Sequence, residues 1–462
     1  MRHGQPSIDR IQNLHLKEIV TGSTKTITEY WRDTCHVIGV TSSVCRWKLQ
    51  PETSGLLFRA NTDLPPTIVT QLQSYPPGAQ IQRLVHIGDS HKPLRQQCLE
   101  KALAICRQST RQVEAYERIL KRLDKLLKGA APSEDREWID RTRAENAEQV
   151  DELKSHRSQA KFDALIALYL SLGRFQEARK ACAARRDNNN DWEHSLHLRV
   201  MEARSQFLDG EKVTTIHKVL DSRDELKPLD LNLALLLAAL HELQATTTMS
   251  SHSGGPATVT IAPSAFAKAV EYFLDMDFEY LKHYDDVALG RDVGRYIAVC
   301  ALVSFSRAQL STLVNQNFGF SELVGADSDI MKMLQSFLDS EFLQFFKLWN
   351  VLVGELPFDL VFSDIVSSVD SLLRERALIQ AIFPYTQFRL DELAQSFDME
   401  PDELETLLRQ MIVALDLKLK IDKIDGTVTA YQSDGYSQLK QNKMLAKAYV
   451  RSAKMAMLAL DK

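Results

Sequence analysis

Helical spacing of apolar residues is the dominant pattern of this chain. From about Leu72 onwards, segments such as Arg95–Arg107 and Val113–Leu127 repeat apolar positions at helical spacing, with short polar breaks between them. This pattern predicts a mainly α protein built from helical hairpins. Residues 1–70 show no helical period, and their aromatic residues lie among Pro, Thr and Ser. We therefore expect an irregular or disordered N-terminal extension there.

The hairpin around Gly173 has the order of side chains that is typical of tetratricopeptide-like repeats. Large apolar residues precede the glycine, and an aromatic residue and two small ones follow it: Leu165, Leu168, Tyr169 and Leu172, then Phe175, Ala178 and Ala181. Glycine permits a tight turn, and the alanines let the second helix approach the first. A weaker echo is formed by Phe266, Ala269 and Phe273. The pattern favours irregular helical repeats, the alternative being unrelated helices that share this order.

Changes in composition predict the division of the chain into segments. A helical-repeat arm covers residues 71–262 and ends in a Thr-, Ser- and Gly-rich stretch, 245–262, which predicts a flexible loop. Helical spacing returns in residues 263–375, the predicted helical subdomain. Residues 376–432 then follow the order helix, strand, helix, helix, strand, turn, strand, which is that of a winged helix. A single helix is predicted for residues 436–462.

The last helix of the predicted winged helix has a clear start signal. Pro401 suits a first helical turn, and the carboxylates of Glu400 and Glu403 suit the positive end of the helix dipole. Further on, Asp425 and Gly426 supply the turn residues of a β-hairpin. The sequence therefore predicts a helix from Pro401 followed by a two-stranded wing.

The short sheet and the terminal helix are the predicted protein interface. Open strand edges carry free N–H and C=O groups that a neighbouring strand can extend. The candidate interface residues are the apolar residues of the wing and of the terminal helix: Leu419, Ile421, Val428, Leu445, Tyr449, Ala453 and Leu460. The alternative for the terminal helix is to pack its apolar stripe onto its own winged helix.

Composition excludes several classes of protein. The chain has 462 residues, so two or three structural units are expected, and its net charge of −5 gives no general attraction to phosphate backbones or anionic membranes. The longest apolar stretch, Leu231–Leu240, is about half of the roughly 20 residues that span a bilayer, and the N-terminus lacks the apolar region of a signal peptide. We expect a soluble intracellular protein whose six cysteines, which include no C-x-x-C pair, are reduced.

No catalytic, cofactor-binding or metal-binding residue is predicted. The chain lacks the glycine-rich phosphate-binding motifs and the H-x-H pair of metal-dependent isopeptidases. His194 and His197 lie three residues apart on a predicted helix, but a metal would need a further ligand from elsewhere, and helix histidines are far commoner than metal sites. The sequence therefore indicates a non-enzymatic protein without a cofactor.

Nucleic-acid binding is the second hypothesis, because winged helices often insert a helix into the major groove. Here that helix carries Asp402, Glu403 and Glu405. Residues 376–431 contain six basic and ten acidic side chains, which disfavours contact with phosphate. The one basic cluster, Lys418, Lys420 and Lys423, is interpreted as the solvated face of a strand.

Several blocks of this sequence resemble the PCI-domain family, which is shared by the proteasome lid, the COP-nine signalosome and translation initiation factor three. The first resemblance is the stretch LRERALIQAIFPY, followed by FRLDELAQSFDMEPDEL and the wing. It is similar to the subunit-one family of the signalosome. Three further blocks agree, namely Arg83–Arg95, Glu137–Gln149 and Asp292–Leu310.

The resemblance implies a scaffold subunit. In the signalosome, PCI winged helices line up laterally and the C-terminal helices join a common bundle, while a metal-dependent isopeptidase in another subunit removes Nedd8 from the cullins of cullin–RING ligases. The implied partners are other signalosome subunits and, through the complex, cullin–RING ligases, with no nucleic acid and no membrane. The implied location is cytoplasm and nucleus. A subunit of the proteasome lid or of initiation factor three is the alternative, and a nucleic-acid-binding PCI protein is a more distant one.

Overall fold

The computed structural model describes residues 64–127, 135–155, 158–187, 191–213, 215–245, 249–250, 258–259, 263–325, 328–415, 417 and 419–430. Most of these residues are helical. The α-helices are α1 Pro66–Gln73, α2 Pro77–Ser90, α3 Arg95–Ser109, α4 Val113–Leu127, α5 Arg136–Ser155, α6 Gln159–Ser171, α7 Phe175–Asp187, α8 Trp192–Leu208, α9 Ile216–Leu220, α10 Pro228–Ala245, α11 Pro263–Leu274, α12 Gly290–Ser304, α13 Arg307–Gln316, α14 Phe318–Val324, α15 Ser328–Leu338, α16 Phe342–Glu355, α17 Val366–Ile382, α18 Leu390–Ser396 and α19 Pro401–Leu415. Short 3-10 helices cover Lys92–Leu94, Arg223–Glu225, Phe278–His283 and Leu356–Phe358. The strands are β1 Met249–Ser250, β2 Thr258–Val259, β3 Gln387–Arg389, β4 Leu419–Asp422 and β5 Thr427–Ala430. The prediction of a mainly α fold ending in a small winged helix is confirmed.

The described residues divide into two compact units. The helical unit contains those within 64–339 and 347–373, and the winged-helix unit contains 340–346 and those within 374–430. The second division lies close to the predicted start of the winged helix at residue 376. The predicted border between residues 262 and 263 separates two segments of one compact unit.

The predicted repeat hairpin is formed by α6 and α7. Ser158 caps α6 by accepting a hydrogen bond from the N–H of Lys161. Gly173 turns the chain with a φ of +72°, a left-handed conformation that favours glycine. Ala178 is fully buried where α7 approaches α6, and Tyr169 packs in the same cluster. These residues therefore have the packing roles that the sequence predicts for them.

Helix α10 is the buried centre of the helical unit. Its residues from Leu233 to Leu240 are buried almost completely, and the helix packs against α8, α9 and α11. Because α11 in turn packs on α12, one continuous core runs through the border at residues 262 and 263. The longest apolar stretch of the chain is thus a core helix, and no helix in the described part of the chain is long and apolar enough to cross a membrane.

A buried arginine joins the first helices of the unit to α12. Arg83, on α2, is only 5% exposed, and its Nη2 donates a hydrogen bond to the carbonyl of Val287 at 2.9 Å. Its guanidinium lies 3.6 Å from the centre of the Tyr75 ring, and the Tyr75 hydroxyl donates a hydrogen bond to Asp292. Arg83 and Asp292 begin two of the sequence blocks that resemble the PCI family. The structure links these blocks through Tyr75, which contacts both residues.

The same network continues to Asp359. The hydroxyl of Tyr296, on α12, donates a hydrogen bond to Asp359 Oδ2 at 2.7 Å. Burial raises the pKa of Asp359, and the negative charge of Asp292 raises it further, whereas Arg83 opposes this shift. Buried carboxylates of this kind depend on hydrogen bonds and on the nearby cation. We call Tyr75, Arg83, Asp292, Tyr296 and Asp359 the buried polar network.

The winged-helix unit contains a three-stranded antiparallel sheet in the order β3-β5-β4. Phe388, Val428 and Ile421 stand opposite one another across the three strands. Val428 is fully buried, so this row of side chains faces the core of the unit. In that core the ring of Phe397 stacks on Phe342 with centroids 5.1 Å apart.

Three element boundaries differ from the prediction. Helix α1 begins at Pro66, inside the stretch 1–70 that is predicted to be irregular, because a proline at the first helical position is already set for the helix. Residues 1–63 lie outside the described residues. Helix α17 begins at Val366 instead of Arg376, since apolar residues continue the helical spacing upstream. The predicted loop 245–262 contains the short β1–β2 pair.

Candidate protein interface

Both outer strands of the winged-helix sheet have an edge that pairs with no strand in the described part of the chain. β5 is central and β3 and β4 are at the edges. The wing is closed by the side chain of Asp422, whose Oδ1 accepts hydrogen bonds from the N–H groups of Ile424 and Asp425. Gly426 completes the turn with a φ of +61°. The predicted turn at Asp425 and Gly426 is therefore present, and it displays the side chain of Ile424.

The predicted interface residues of the strands lie on the inner face of the sheet. Val428 is fully buried, and Leu419 and Ile421 are half-buried on the same face. The alternation along a strand indicates two faces, but it does not indicate which face the helices of the unit cover. The Val428 side chain therefore belongs to the core, which corrects its prediction as an interface residue. The candidates of the terminal helix, Leu445, Tyr449, Ala453 and Leu460, lie outside the described residues.

Large apolar side chains that the sequence analysis did not single out are exposed elsewhere in the winged-helix unit. Ile424 is 95% exposed at the tip of the wing, and Val413 is 84% exposed near the end of α19. Phe383 and Tyr385, between α17 and β3, are more than half exposed. Ile424 interrupts a run of polar turn residues in the sequence, which is a signal that could have identified it. Apolar side chains that form a contiguous exposed patch mark surfaces that bind another protein, whereas single ones are common.

The electrostatics of the wing are dominated by Glu405. Its Oε1 lies 2.5 Å from Arg409 Nη2 and 3.0 Å from Lys423 Nζ. Two basic groups next to the acidic helix α19 are therefore neutralised within the unit. Lys420 is exposed, and Lys418 lies outside the described residues.

The histidine pair on α8 is held by neighbouring side chains. His194 Nδ1 lies 2.7 Å from Gln159 Nε2, and His197 Nδ1 lies 2.8 Å from Asp230 Oδ1. Burial lowers the pKa of His194, whereas the hydrogen bond and charge of Asp230 outweigh burial and raise that of His197. Within the described ranges, no group of three or more His, Cys, Asp or Glu residues could hold a metal ion.

The described cysteines are buried thiols. Burial raises the pKa of Cys98 to about 11 and the pKa values of Cys106 and Cys182 to about 12, and it also raises that of Cys300. A thiolate is the nucleophilic form of cysteine, so these four side chains are unreactive at neutral pH.

Comparisons with known proteins agree with this architecture. The model of the PCI domain family matches residues 351–432. The chain is 26% identical over 166 residues to subunit 1 of the COP9 signalosome complex from Arabidopsis thaliana, which covers 36% of this chain and 38% of that protein. Subunit 1b from Drosophila melanogaster is 24% identical over 191 residues, with 41% of this chain and 36% of that protein covered.

A longer alignment extends the likeness to most of the chain. Subunit 1 from Schizosaccharomyces pombe is 21% identical over 374 residues, which is 77% of this chain and 82% of that protein. In contrast, the aligned part spans well under half the length of the Arabidopsis and Drosophila proteins. The motifs, the winged helix and these alignments lead to one conclusion: the chain contains a PCI domain at residues 351–432 and is similar to subunit 1 of the COP9 signalosome complex.

Proposed function

We propose that this chain is a non-catalytic scaffold subunit of a COP9 signalosome complex. The observation that carries this proposal is the likeness to subunit 1 of the COP9 signalosome complex over 77% of this chain. On the winged-helix unit, Phe383, Tyr385, Val413 and Ile424 are exposed. Water contact with such side chains is unfavourable, and a neighbouring subunit would remove it. The open edges of β3 and β4 offer backbone hydrogen bonds to the same kind of neighbour.

The proposed role is to position partners, and the chemistry belongs to the complex. The resemblance to signalosome subunits implies that the assembled complex removes Nedd8 from cullins by means of a metal-dependent isopeptidase in another subunit. The four described cysteines of this chain are protonated at neutral pH and its α8 histidines are engaged by neighbours, which supports a role without catalysis. We also propose that the chain is present in cytoplasm and nucleus with its cullin–RING ligase partners.

A protein partner for the winged helix is favoured over nucleic acid. Phosphate binding requires cations that can replace counterions. Glu405 already engages Arg409 and Lys423, and the first turn of α19 carries Asp402 and Glu403. We expect no salt-dependent binding of duplex DNA in an anisotropy assay, and submicromolar binding would reverse this preference.

Substitution of exposed apolar residues of the winged-helix unit by lysine tests the proposed interface directly. Replacement of Ile424 or Val413 by lysine removes an exposed apolar contact, so the stability of the monomer should change by less than about 0.5 kcal/mol. Co-purification with signalosome subunits should fall. Gln395→Lys is the matched control, because it adds the same charge at an exposed position of α18. Equal recovery of all three variants in the complex would contradict the proposed interface.

Charged substitutions also test whether the predicted terminal helix packs between subunits. Substitution of aspartate for Leu445 and Leu460 should weaken incorporation while leaving the melting of the monomer unchanged, because a charge buried between subunits costs several kcal/mol. Lower monomer stability with normal assembly would instead mean that the helix packs on its own domain.

Purification of the tagged full chain distinguishes the possible complexes. Mass spectrometry should identify signalosome subunits, whereas proteasome-lid or initiation-factor subunits would support the alternatives. The chain alone should leave a Nedd8–cullin conjugate intact, and the complex that contains it should cleave the conjugate. Cleavage by the isolated chain would refute the scaffold role.

A further inference from the structure

The helical unit contains a cleft of about 1330 Å³ that is separate from the winged helix. Side chains of α2, α4, α6 and α8 line it. Small-molecule pockets usually measure about 300–1,000 Å³, so this cleft is larger than such a ligand needs. For a helix about 10–12 Å in diameter, the same volume corresponds to about two to three turns. The size of the cleft therefore suits a segment of polypeptide.

Arginines form one wall of the cleft. Arg118 and Arg122 lie one turn apart on α4, and Arg111 precedes the helix. Arg122 pairs with Asp89 at 3.0 Å. Arg111 and Arg118 are exposed and make no ion pair with a described residue.

The carboxylates of α4 that could neutralise Arg118 are engaged elsewhere. Glu114, one turn before Arg118, lies 3.2 Å from Arg174, and Glu117 lies 2.6 Å from Arg143. The guanidinium of Arg118 is thus left to face the cleft. Guanidinium groups bind carboxylates in a two-point geometry, so this wall is suited to acidic side chains.

Part of the cleft lining is apolar. Leu170 and Met201 are half-buried and pack against the cluster that contains the buried Ile166. Methionine adapts to different apolar shapes, which suits a surface that receives a side chain from outside. An occupant would therefore need apolar side chains next to its acidic ones.

The rest of the lining carries both charges. Arg204 is bound at two points by Asp286, with distances of 3.0 and 2.6 Å. Asp163 and Asp285 also line the cleft, and so does the exposed Lys282. The carboxylates disfavour a nucleic-acid backbone along the cleft. The acidic side chains of an occupant should therefore face α4, where Arg111 and Arg118 make no ion pair with a described residue.

We propose that this cleft binds an amphipathic helical segment of a partner protein. Its apolar side chains rest on Leu170 and Met201, and its carboxylates pair with Arg111 and Arg118. This is the helix-in-groove mode of recognition, with charge fixing the orientation of the helix. The proposal adds a second interface on the helical unit and does not depend on membership of the signalosome.

Fluorescence anisotropy with the full chain tests the proposal. The probe is a labelled peptide of about twelve residues with leucines at i, i+3, i+4 and i+7 and glutamates on the adjoining face. We expect saturable binding that weakens at high salt. A peptide of the same composition in scrambled order, and one with lysine in place of glutamate, should bind at least about tenfold more weakly, a difference of 1.4 kcal/mol or more.

Variants of the chain connect the binding to the cleft. The pair Arg111→Glu and Arg118→Glu should reduce affinity about tenfold or more without changing thermal melting. Met201→Lys should reduce affinity to a similar extent and also lower the melting temperature, because Met201 packs against a buried cluster. Arg141→Glu is the matched control, because Arg141 is an exposed arginine of α5 outside the cleft, and it should bind normally.

Several outcomes would overturn the proposal. These are absence of binding, equal binding of the scrambled peptide, tighter binding of the lysine peptide, or equal losses in the Arg141→Glu control. Self-association of the chain that the cleft variants abolish would identify a second copy as the occupant and also refute the proposal. None of these outcomes affects the winged-helix interface, which the wing-tip variants test independently.

Discussion

Glu375 is a buried carboxyl group whose titration should be visible in the stability of the protein. It is 7% exposed, and burial raises its pKa to about 7. Because its ordinary pKa is 4.5, the folded state binds the proton more tightly than the unfolded state does. Between about pH 4.5 and 7, stability should therefore fall as pH rises, and above pH 7 the full cost is present.

Glu375→Gln isolates this contribution. At pH 4 the variant and the parent chain should melt alike, because Glu375 is mostly protonated in both the folded and the unfolded parent. At pH 8 the variant should be more stable by on the order of 3 kcal/mol, since 1 pKa unit corresponds to about 1.4 kcal/mol. Melting curves at both pH values check this, and a difference that does not depend on pH would show that Glu375 does not titrate in this range.

Arg83 should be among the most sensitive positions of the helical unit. Arg83→Met leaves the buried Asp292 and the half-buried Asp359 without the nearby guanidinium, which should cost about 3 kcal/mol. Denaturant unfolding measures the loss, and Arg141→Met, on an exposed surface, should change stability by less than about 0.5 kcal/mol. In an Asp292→Asn background the Arg83→Met change should cost less, because the two residues belong to one network. Strict additivity would argue against that coupling.

Two glycines should respond in opposite directions to the same substitution. Gly173 has a φ of +72°, and a Cβ there would meet the side chain of Gln112 at 3.3 Å, so Gly173→Ala should destabilise by about 1–2 kcal/mol. Gly354 lies in helix α16, with nothing within 4 Å of an added Cβ. Gly354→Ala should therefore stabilise by about 0.5–1 kcal/mol. Thermal melting of both variants gives the signs, and two changes of the same sign would contradict this account.

Helices with a clear start signal and regular apolar spacing were predicted well from the sequence. Helix α19 begins at Pro401 and ends at Leu415, as its start signal and apolar spacing predict. The upstream end of α17 was predicted less well, because several Ser and Asp residues before Arg376 could each cap a helix and no Gly or Pro marks a break. The β1–β2 pair involves only two residues in each strand, too few for a period to be recognised in sequence.

The candidate interface was harder to predict than the elements that carry it. Strand alternation placed Leu419, Ile421 and Val428 on one face correctly, but the side that the helices cover is a tertiary property, and Val428 proved to be core. Exposure of Ile424 depends on the turn that Asp422 holds. The cleft was missed for a related reason: Arg111 and Met201 are 90 positions apart in the sequence.

At the scale of the whole molecule, the helical unit should unfold in a single cooperative transition, although its sequence divides into segments of different composition. Helix α10 is buried against elements on both sides of the predicted border at residues 262 and 263. The buried polar network crosses the same border, with Tyr75 and Arg83 on one side and Asp292 on the other. Proteins whose core and polar contacts run continuously through a boundary usually lose both sides together.

The buried polar network also limits which segments of this chain could be transferred separately to another protein. A fragment that starts at Pro263 keeps Asp292, Tyr296 and Asp359 but loses Tyr75 and Arg83, so Asp292 loses a hydrogen bond and Asp359 loses a nearby cation. The segment that the PCI family model matches, 351–432, is smaller still. A gene rearrangement that moved this C-terminal portion to a new protein would therefore transfer a recognisable motif without a self-sufficient fold. The first helices and the PCI segment have to be passed on together.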